Sequence, residues 1–238
     1  MDRQIRAAYA QTPGAVEWRA MRNWKSLLLI GLWALLLAAA FMVDEPVKRA
    51  LYEGGWHDPA KHLMKGTWWA MVLKWPGHFG LTLVVVGALV WGIGLSWRKG
   101  VVILVCGVSA LVNDILKWVF GRPRPLNDAG LVDGRHFDFF RGGALGSLKT
   151  GGLAFPSGHT TLAFATATCL SVYYPRLTWL FFVLATMVGA ERVIELAHHV
   201  SDVVASAGLG IALSLIVMQL LRSWSSAGQR PEGSTLQP

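Results

Sequence analysis

Long apolar runs broken by short polar punctuation dominate this chain of 238 residues. A bilayer core is crossed by about 20 mainly apolar helical residues. Six windows reach that length, at 26–43, 77–97, 100–120, 158–174, 177–195 and 201–221. The pattern predicts an all-α protein, a bundle of six transmembrane helices. The first window contains "LLLAAAF", whose small residues also suit signal-peptide cleavage. Its polar lead is longer than a signal peptide carries, so a retained helix is expected.

Two connections carry patterns of their own. Within 44–76, Leu63, Met64, Trp68, Met71, Val72 and Trp75 fall near helical spacing among Lys61, Lys65 and Lys74. An interfacial amphipathic helix between spans 1 and 2 is expected, with a packing helix capping the bundle as the alternative. The Gly-rich stretch 121–157 reads as mostly irregular. The organisation expected is a cytoplasmic segment 1–25, one membrane domain 26–222 and a disordered polar tail 223–238. There is no repeat of fixed period.

Composition supports the membrane class. The chain is 53% hydrophobic and 15% charged, against about 25% charged in soluble domains. Its mean hydropathy is +0.43. Twelve tryptophans suit helices that end at a lipid–water boundary. The net charge of +8 fits basic flanks facing anionic lipid, or a site for anionic substrates. A nucleic-acid partner is not expected, because the cations form no basic stripe interleaved with aromatics. Cys106 and Cys169 fall inside apolar runs without metal-ligand spacing and read as small buried hydrophobes.

Six spans put three polar clusters on one face: "KWVFGRPRP" after span 3, "PSGH" before span 4, and "ERVIELAHHVSD" between spans 5 and 6. Ionisable groups at the edge of hydrocarbon are costly and need a partner or a task. Arg3, Arg6, Arg19, Arg22, Lys25, Arg98 and Lys99 favour cytoplasmic termini. The site then faces outward, which in a bacterial inner membrane is the periplasm.

In the first cluster, Lys117 ends a helix and Arg124 sits on a turn stiffened by Pro123 and Pro125. Two cations there suit a phosphate, or a basic stop signal at the headgroups. In the second, Ser157 can cap the next helix, Gly158 admits a ligand to the backbone, and His159 lies in the first turn. An ordinary N-cap with a snorkelling histidine is the competing reading. In the third, His198 and Asp202 are four residues apart and would share a helix face. Asp202 could then accept the Nδ1 hydrogen of His198 and leave Nε2 free to attack. The alternative is a helix cap by Asp202 or Ser201, with His199 facing headgroups.

Together the clusters resemble the type 2 phosphatidic acid phosphatase (PAP2) superfamily, in its membrane-bound lipid phosphatase branch. Lys117, Arg124 and Pro125 match its K-x6-R-P pattern, Pro156 to His159 match P-S-G-H, and Arg192, His198 and Asp202 match S-R-x5-H-x3-D. The likeness spans about residues 77 to 221. Glu191 stands where the family has serine.

The resemblance implies a lipid phosphate or pyrophosphate hydrolase working through a phosphohistidine. His198 would be the nucleophile, Asp202 would orient it, and His159 would be the acid and then the base. Lys117, Arg124, Arg192 and backbone N–H groups near Ser157 and Gly158 would bind the phosphate. Neither metal nor cofactor is expected. The partners implied are the bilayer and the lipid substrate, with the oligomeric state left open. The connection 126–155, with Asp128, Asp133, Arg135, His136, Asp138 and Arg141, is the expected specificity element. A lipid-to-lipid phosphotransferase is the runner-up, and a non-catalytic scaffold or transporter-like protein the reading from another class.

Overall fold

A computed structural model describes residues 13–55, 101–127, 130–133, 135–140 and 152–227 of the chain. Five α-helices are described: α1 (Pro13–Glu53), α2 (Val101–Phe120), α3 (Gly158–Tyr173), α4 (Thr178–Ile194) and α5 (Val200–Ala227). Between α2 and α3 lies a two-stranded antiparallel ribbon, β1 (Leu126–Asn127) and β2 (Gly130–Leu131). A 3-10 turn, Pro175–Leu177, joins α3 to α4.

Among the described residues, four helical stretches are long and apolar enough to cross a membrane: Ser26–Glu53, Val101–Phe120, Pro175–Ile194 and Val200–Leu221. Predicted span 77–97 and the predicted amphipathic segment around 59–75 lie outside the described residues. Helix α1 corrects the end of the first span. It does not stop at 43 but runs through Asp44, Glu45 and Pro46 to Glu53. These polar residues stay helical because they find partners: Asp44 and Lys48 are both buried and bonded to other segments. Helix α5 continues to Ala227, and residues 228–238 lie outside the described part.

Helix α3 packs against α2, α4 and α5. Its 16 residues measure roughly 24 Å at 1.5 Å per residue. Its buried face is made of small side chains, among them Thr160, Thr161, Ala163, Ala165, Ala167 and Cys169. Between membrane helices, small residues permit close approach and dispersion supplies the attraction. Gly210 of α5 is such a case: a Cβ there would overlap the Thr161 carbonyl oxygen and the Ala165 nitrogen. Val102, Val105 and Cys106 of α2, Leu162 and Cys169 of α3, and Val217 and Met218 of α5 close one core around α3. Both cysteines are buried and free. Trp33 of α1 lies over Gly208 and donates its indole N–H to the Val204 carbonyl at 3.3 Å. Leu27, Leu29, Leu35, Leu36 and Met42 of α1 point outward.

Candidate active site

The three clusters meet where α2 and α4 end and α3 and α5 begin. Gly121, with φ 58°, lets the chain leave α2, and its N–H closes the helix on the Lys117 carbonyl at 2.9 Å. Pro123 and Pro125 bar a further helical turn and keep the chain extended. Residues 122–124 then pair antiparallel with 152–154. The Ala154 N–H donates to the Arg122 carbonyl at 2.7 Å and the Arg124 N–H to the Gly152 carbonyl at 3.2 Å. This short ladder ties "GRPRP" to the segment that enters "PSGH".

The third cluster is a tight reversal. Leu196, with φ 53°, occupies the left-handed position just after α4. Leu196 N–H donates to the Val193 carbonyl at 2.9 Å and Ala197 N–H to the Arg192 carbonyl at 3.1 Å. These two bonds are the Schellman pattern that satisfies the last carbonyls of a helix. A leucine there costs about 1–2 kcal/mol of backbone strain, and its 2% exposed side chain offsets that by burial. His198 N–H reaches the Arg192 carbonyl as well, at 3.2 Å.

Helix α5 starts only at Val200, so His198 and Asp202 do not share a helix face as the four-residue spacing predicts. Asp202 is the third residue of α5, and its Oδ2 accepts the His199 N–H at 2.7 Å, a helix-start cap. The His198 Nδ1 is 2.7 Å from the Ala154 carbonyl oxygen and 3.8 Å from Asp202 Oδ2. A carbonyl only accepts, so Nδ1 carries the hydrogen. The acceptor that sets the tautomer is therefore Ala154 rather than Asp202, which at that distance acts as a charge. The consequence for Nε2 is unchanged: its lone pair is left available.

His198 is 3% exposed. Burial pushes its pKa below the ordinary histidine value, Asp202 opposes that, and Lys117 and Arg124 add to it. His199 is shifted the same way, again chiefly by burial. Neither ring nitrogen of His199 has a hydrogen-bond partner, and the Arg124 Nε is likewise buried without one among the described residues.

Ser157 differs from the expectation in two ways. Its hydroxyl makes no helix cap; it accepts the Thr160 hydroxyl hydrogen at 3.0 Å. Its N–H is taken by the Ser206 hydroxyl at 2.6 Å, so it is not free for an anion. As at any helix start, the first N–H groups of α3 have no acceptor within the helix itself. A Cβ on Gly158 would come within 3.1 Å of Asn113 Nδ2. His159 is half-buried in that first turn.

Arg192 is held by Glu191 through two of its nitrogens and by Glu195 at 2.8 Å. The residue that replaces the family serine thus folds onto the arginine. Two further residues, which sequence reasoning passed over, complete the centre. Arg122 is 1% exposed, bonds Asp202 Oδ1, and donates at 2.7 Å each to Ser201 Oγ and Asp44 Oδ2. Its guanidinium lies 5.0 Å from the Phe137 ring centroid and 5.3 Å from that of Phe41. Asp44 also accepts the Ser201 N–H at 2.9 Å. Among the described residues, no group of three or more His, Cys, Asp or Glu side chains is arranged to hold a metal.

Comparisons with known proteins give the family. The family model described as PAP2 superfamily matches residues 98–225, more than half of the chain. A lipid A 1-phosphatase of Rhizobium johnstonii is 26% identical over 82% of this chain and 79% of its own length. Lipid phosphate phosphatase 1 of Arabidopsis thaliana is 34% identical over 43% of this chain and 38% of its own. The crystal structure of a transmembrane PAP2 type phosphatidylglycerolphosphate phosphatase from Bacillus subtilis is similar in fold. Its TM-score is 0.53, at 25% identity, over 84% of this chain and 97% of that one. With the matched segment carrying all three clusters and the apolar helices around them, the chain belongs to the PAP2 superfamily, as a membrane lipid phosphatase.

Proposed function

We propose that the chain hydrolyses a lipid phosphate or pyrophosphate through a phosphohistidine on His198. The observation that carries this is the buried His198 ring with Nδ1 2.7 Å from the Ala154 carbonyl oxygen, a geometry that in the neutral ring leaves the Nε2 lone pair available. Nε2 attacks phosphorus, an N–P bond forms, and the P–O bond to the lipid breaks as His159 gives its proton to the leaving oxygen. Water then attacks phosphorus, His159 takes its proton, the N–P bond breaks and inorganic phosphate leaves. Lys117, Arg124 and the N–H groups at the start of α3 hold the non-bridging oxygens. The buried Arg124 Nε, without a partner among the described residues, supports this assignment. Arg192 contributes against the pull of Glu191 and Glu195. No metal takes part, since the cations supply the charge.

The finer architecture proposed is six spans with an interfacial helix after the first, and the site facing the periplasm of a bacterial inner membrane. The substrate is a phosphorylated lipid whose tails stay in the bilayer. Support for the 126–155 connection as specificity element comes from a groove of about 660 Å³. It lies between the end of α1 (Glu45, Arg49, Glu53) and Leu131, Asp133 and Arg135.

The test is to trap the intermediate. Full-length protein in detergent micelles is mixed with radiophosphorus-labelled short-chain phosphatidic acid and quenched in alkali, where phosphohistidine survives. Label is expected on the peptide containing His198 and absent from His198→Ala. A labelled residue elsewhere, or turnover that stops in chelator and returns with magnesium, contradicts the assignment.

A further inference from the structure

Asp44, Arg122 and Asp202 form a row of alternating charge buried beside the histidines. Arg122 presents one nitrogen to Asp202 Oδ1 and another to Asp44 Oδ2. Asp44 also caps the start of α5 by accepting from the Ser201 N–H at 2.9 Å and the Ser201 hydroxyl at 2.5 Å. All three side chains are nearly inaccessible, at 4%, 1% and 0% exposure. Such a group is costly to bury and is weak evidence for stability. Its location suggests a different use. Asp202 is 3.8 Å from His198 Nδ1, and Arg122 fixes the rotation of that carboxylate. Phe41 and Phe137 fix Arg122 in turn.

We propose that Asp44 and Arg122 are positioning residues for phosphoryl transfer, and that α1 is thereby part of the catalytic site. The proposal rests on His198 as nucleophile. Asp44 lies on the first helix, outside residues 98–225 that the family model matches. When His198 takes the phosphoryl group its ring gains positive charge, and the negative charge of Asp202 must remain on it. A lone Arg122 would neutralise Asp202 from the far side. Asp44 shares the guanidinium, so Asp202 keeps more of its field toward the ring. Lysine cannot serve in place of Arg122, because a single ammonium lacks the fork that reaches two carboxylates.

The experiment is single-turnover labelling of the full chain in micelles with radiophosphorus-labelled short-chain phosphatidic acid. It compares unsubstituted protein, Asp44→Asn, Asp44→Glu, Arg122→Lys and the double variant Asp44→Asn/Arg122→Lys. The rate of His198 phosphorylation should fall roughly 100-fold in each single variant, the scale of an ångström-sized misplacement. KM should stay within about threefold, because neither residue touches substrate. The double variant should be little worse than either single one, as expected of residues that act as a unit. Asp44→Glu keeps the charge and moves the carboxylate, so it serves if Asp44→Asn does not fold. Folded Asp44→Glu and Arg122→Lys proteins phosphorylated at the unsubstituted rate overturn the proposal while leaving the His198 reading intact. Absence of label in the unsubstituted protein refutes the His198 reading, and this proposal with it.

Discussion

Replacing Asp202 by asparagine separates two roles that one side chain plays. Asparagine is nearly isosteric and can still accept the His199 N–H, so the start of α5 keeps its cap. The tautomer of His198 also survives, because Ala154 and not Asp202 accepts the Nδ1 hydrogen. What disappears is the charge. At the 3.8 Å that separates His198 Nδ1 from Asp202 Oδ2, two unit charges interact by about 4 kcal/mol at an effective dielectric of 20. That corresponds to roughly a thousandfold in rate if the ring is fully charged in the transition state. Arg122, sharing the same carboxylate, reduces it, so a loss of about 100- to 1,000-fold in kcat/KM is expected. The same charge sets the direction of the pH effect. Asp202 raises the pKa of His198 against burial, Lys117 and Arg124. Without it the histidine deprotonates at lower pH, and the acid limb of the kcat/KM profile should move down. The assay is a pH series of phosphate release from short-chain phosphatidic acid, with circular dichroism confirming folded protein. A folded Asp202→Asn enzyme within tenfold of full activity, its acid limb unmoved, would reduce Asp202 to a helix cap.

Three other outcomes are expected. His199→Leu should retain substantial activity, since neither ring nitrogen of His199 holds a partner among the described residues. Its burial-lowered pKa means the folded state binds fewer protons than the unfolded one. Stability from this neutral ring is present above the unfolded pKa and lost as pH falls below it. The Tm difference between His199→Leu and unsubstituted protein should therefore move in the variant's favour from pH 8 to about pH 5, and a constant difference would contradict this. Glu191→Ser should lower KM roughly several-fold with kcat little changed, because it releases Arg192 from a competing carboxylate; a raised KM would show that Glu191 positions Arg192 instead. Gly210→Ala should destabilise by about 1–3 kcal/mol through overlap with the Thr161 carbonyl, seen as a lowered Tm in detergent, and an unchanged Tm would mean α3 and α5 are not in close contact.

The sequence made the site legible where residue type and order carry the chemistry. Lys117, Arg124, His159, Arg192, His198 and Asp202 could be singled out because charged groups stand out against apolar runs. The ends of α2, α3 and α4 fall within a residue of the predicted windows for the same reason. Asp44 and Arg122 escaped for opposite causes. Asp44 comes directly after an apolar run and so reads as the exit from a membrane span. Only the fold reveals that its acceptor oxygens meet Arg122 and Ser201, more than 70 residues away in each case. Arg122 sits two residues from Arg124 in "GRPRP" and has the same charge, so composition cannot assign them different tasks. The structure does: Arg122 turns inward to two carboxylates, while the Nε of Arg124 stays unmatched among the described residues.

The spacing between Arg192 and His198 shows how a local backbone rule can shape a site without a sequence signal. A helical reading carries α4 to 195 and places His198 with Asp202 on the next helix. The chain instead reverses at Leu196, in a conformation that usually selects glycine. Nothing in "RVIELAHH" advertises that reversal, because leucine is a good helix former. Burial of the leucine against the bundle and capture of the Arg192 carbonyl by both Ala197 and His198 hold it there. The turn takes His198 off the axis of either helix and brings Nδ1 onto the Ala154 carbonyl. Had α5 started two residues earlier, His198 would have lain one helical turn before Asp202, and the carboxylate could have been its hydrogen-bond acceptor. The five residues between arginine and histidine are therefore the length of a helix-ending reversal, and that reversal sets which oxygen faces which nitrogen.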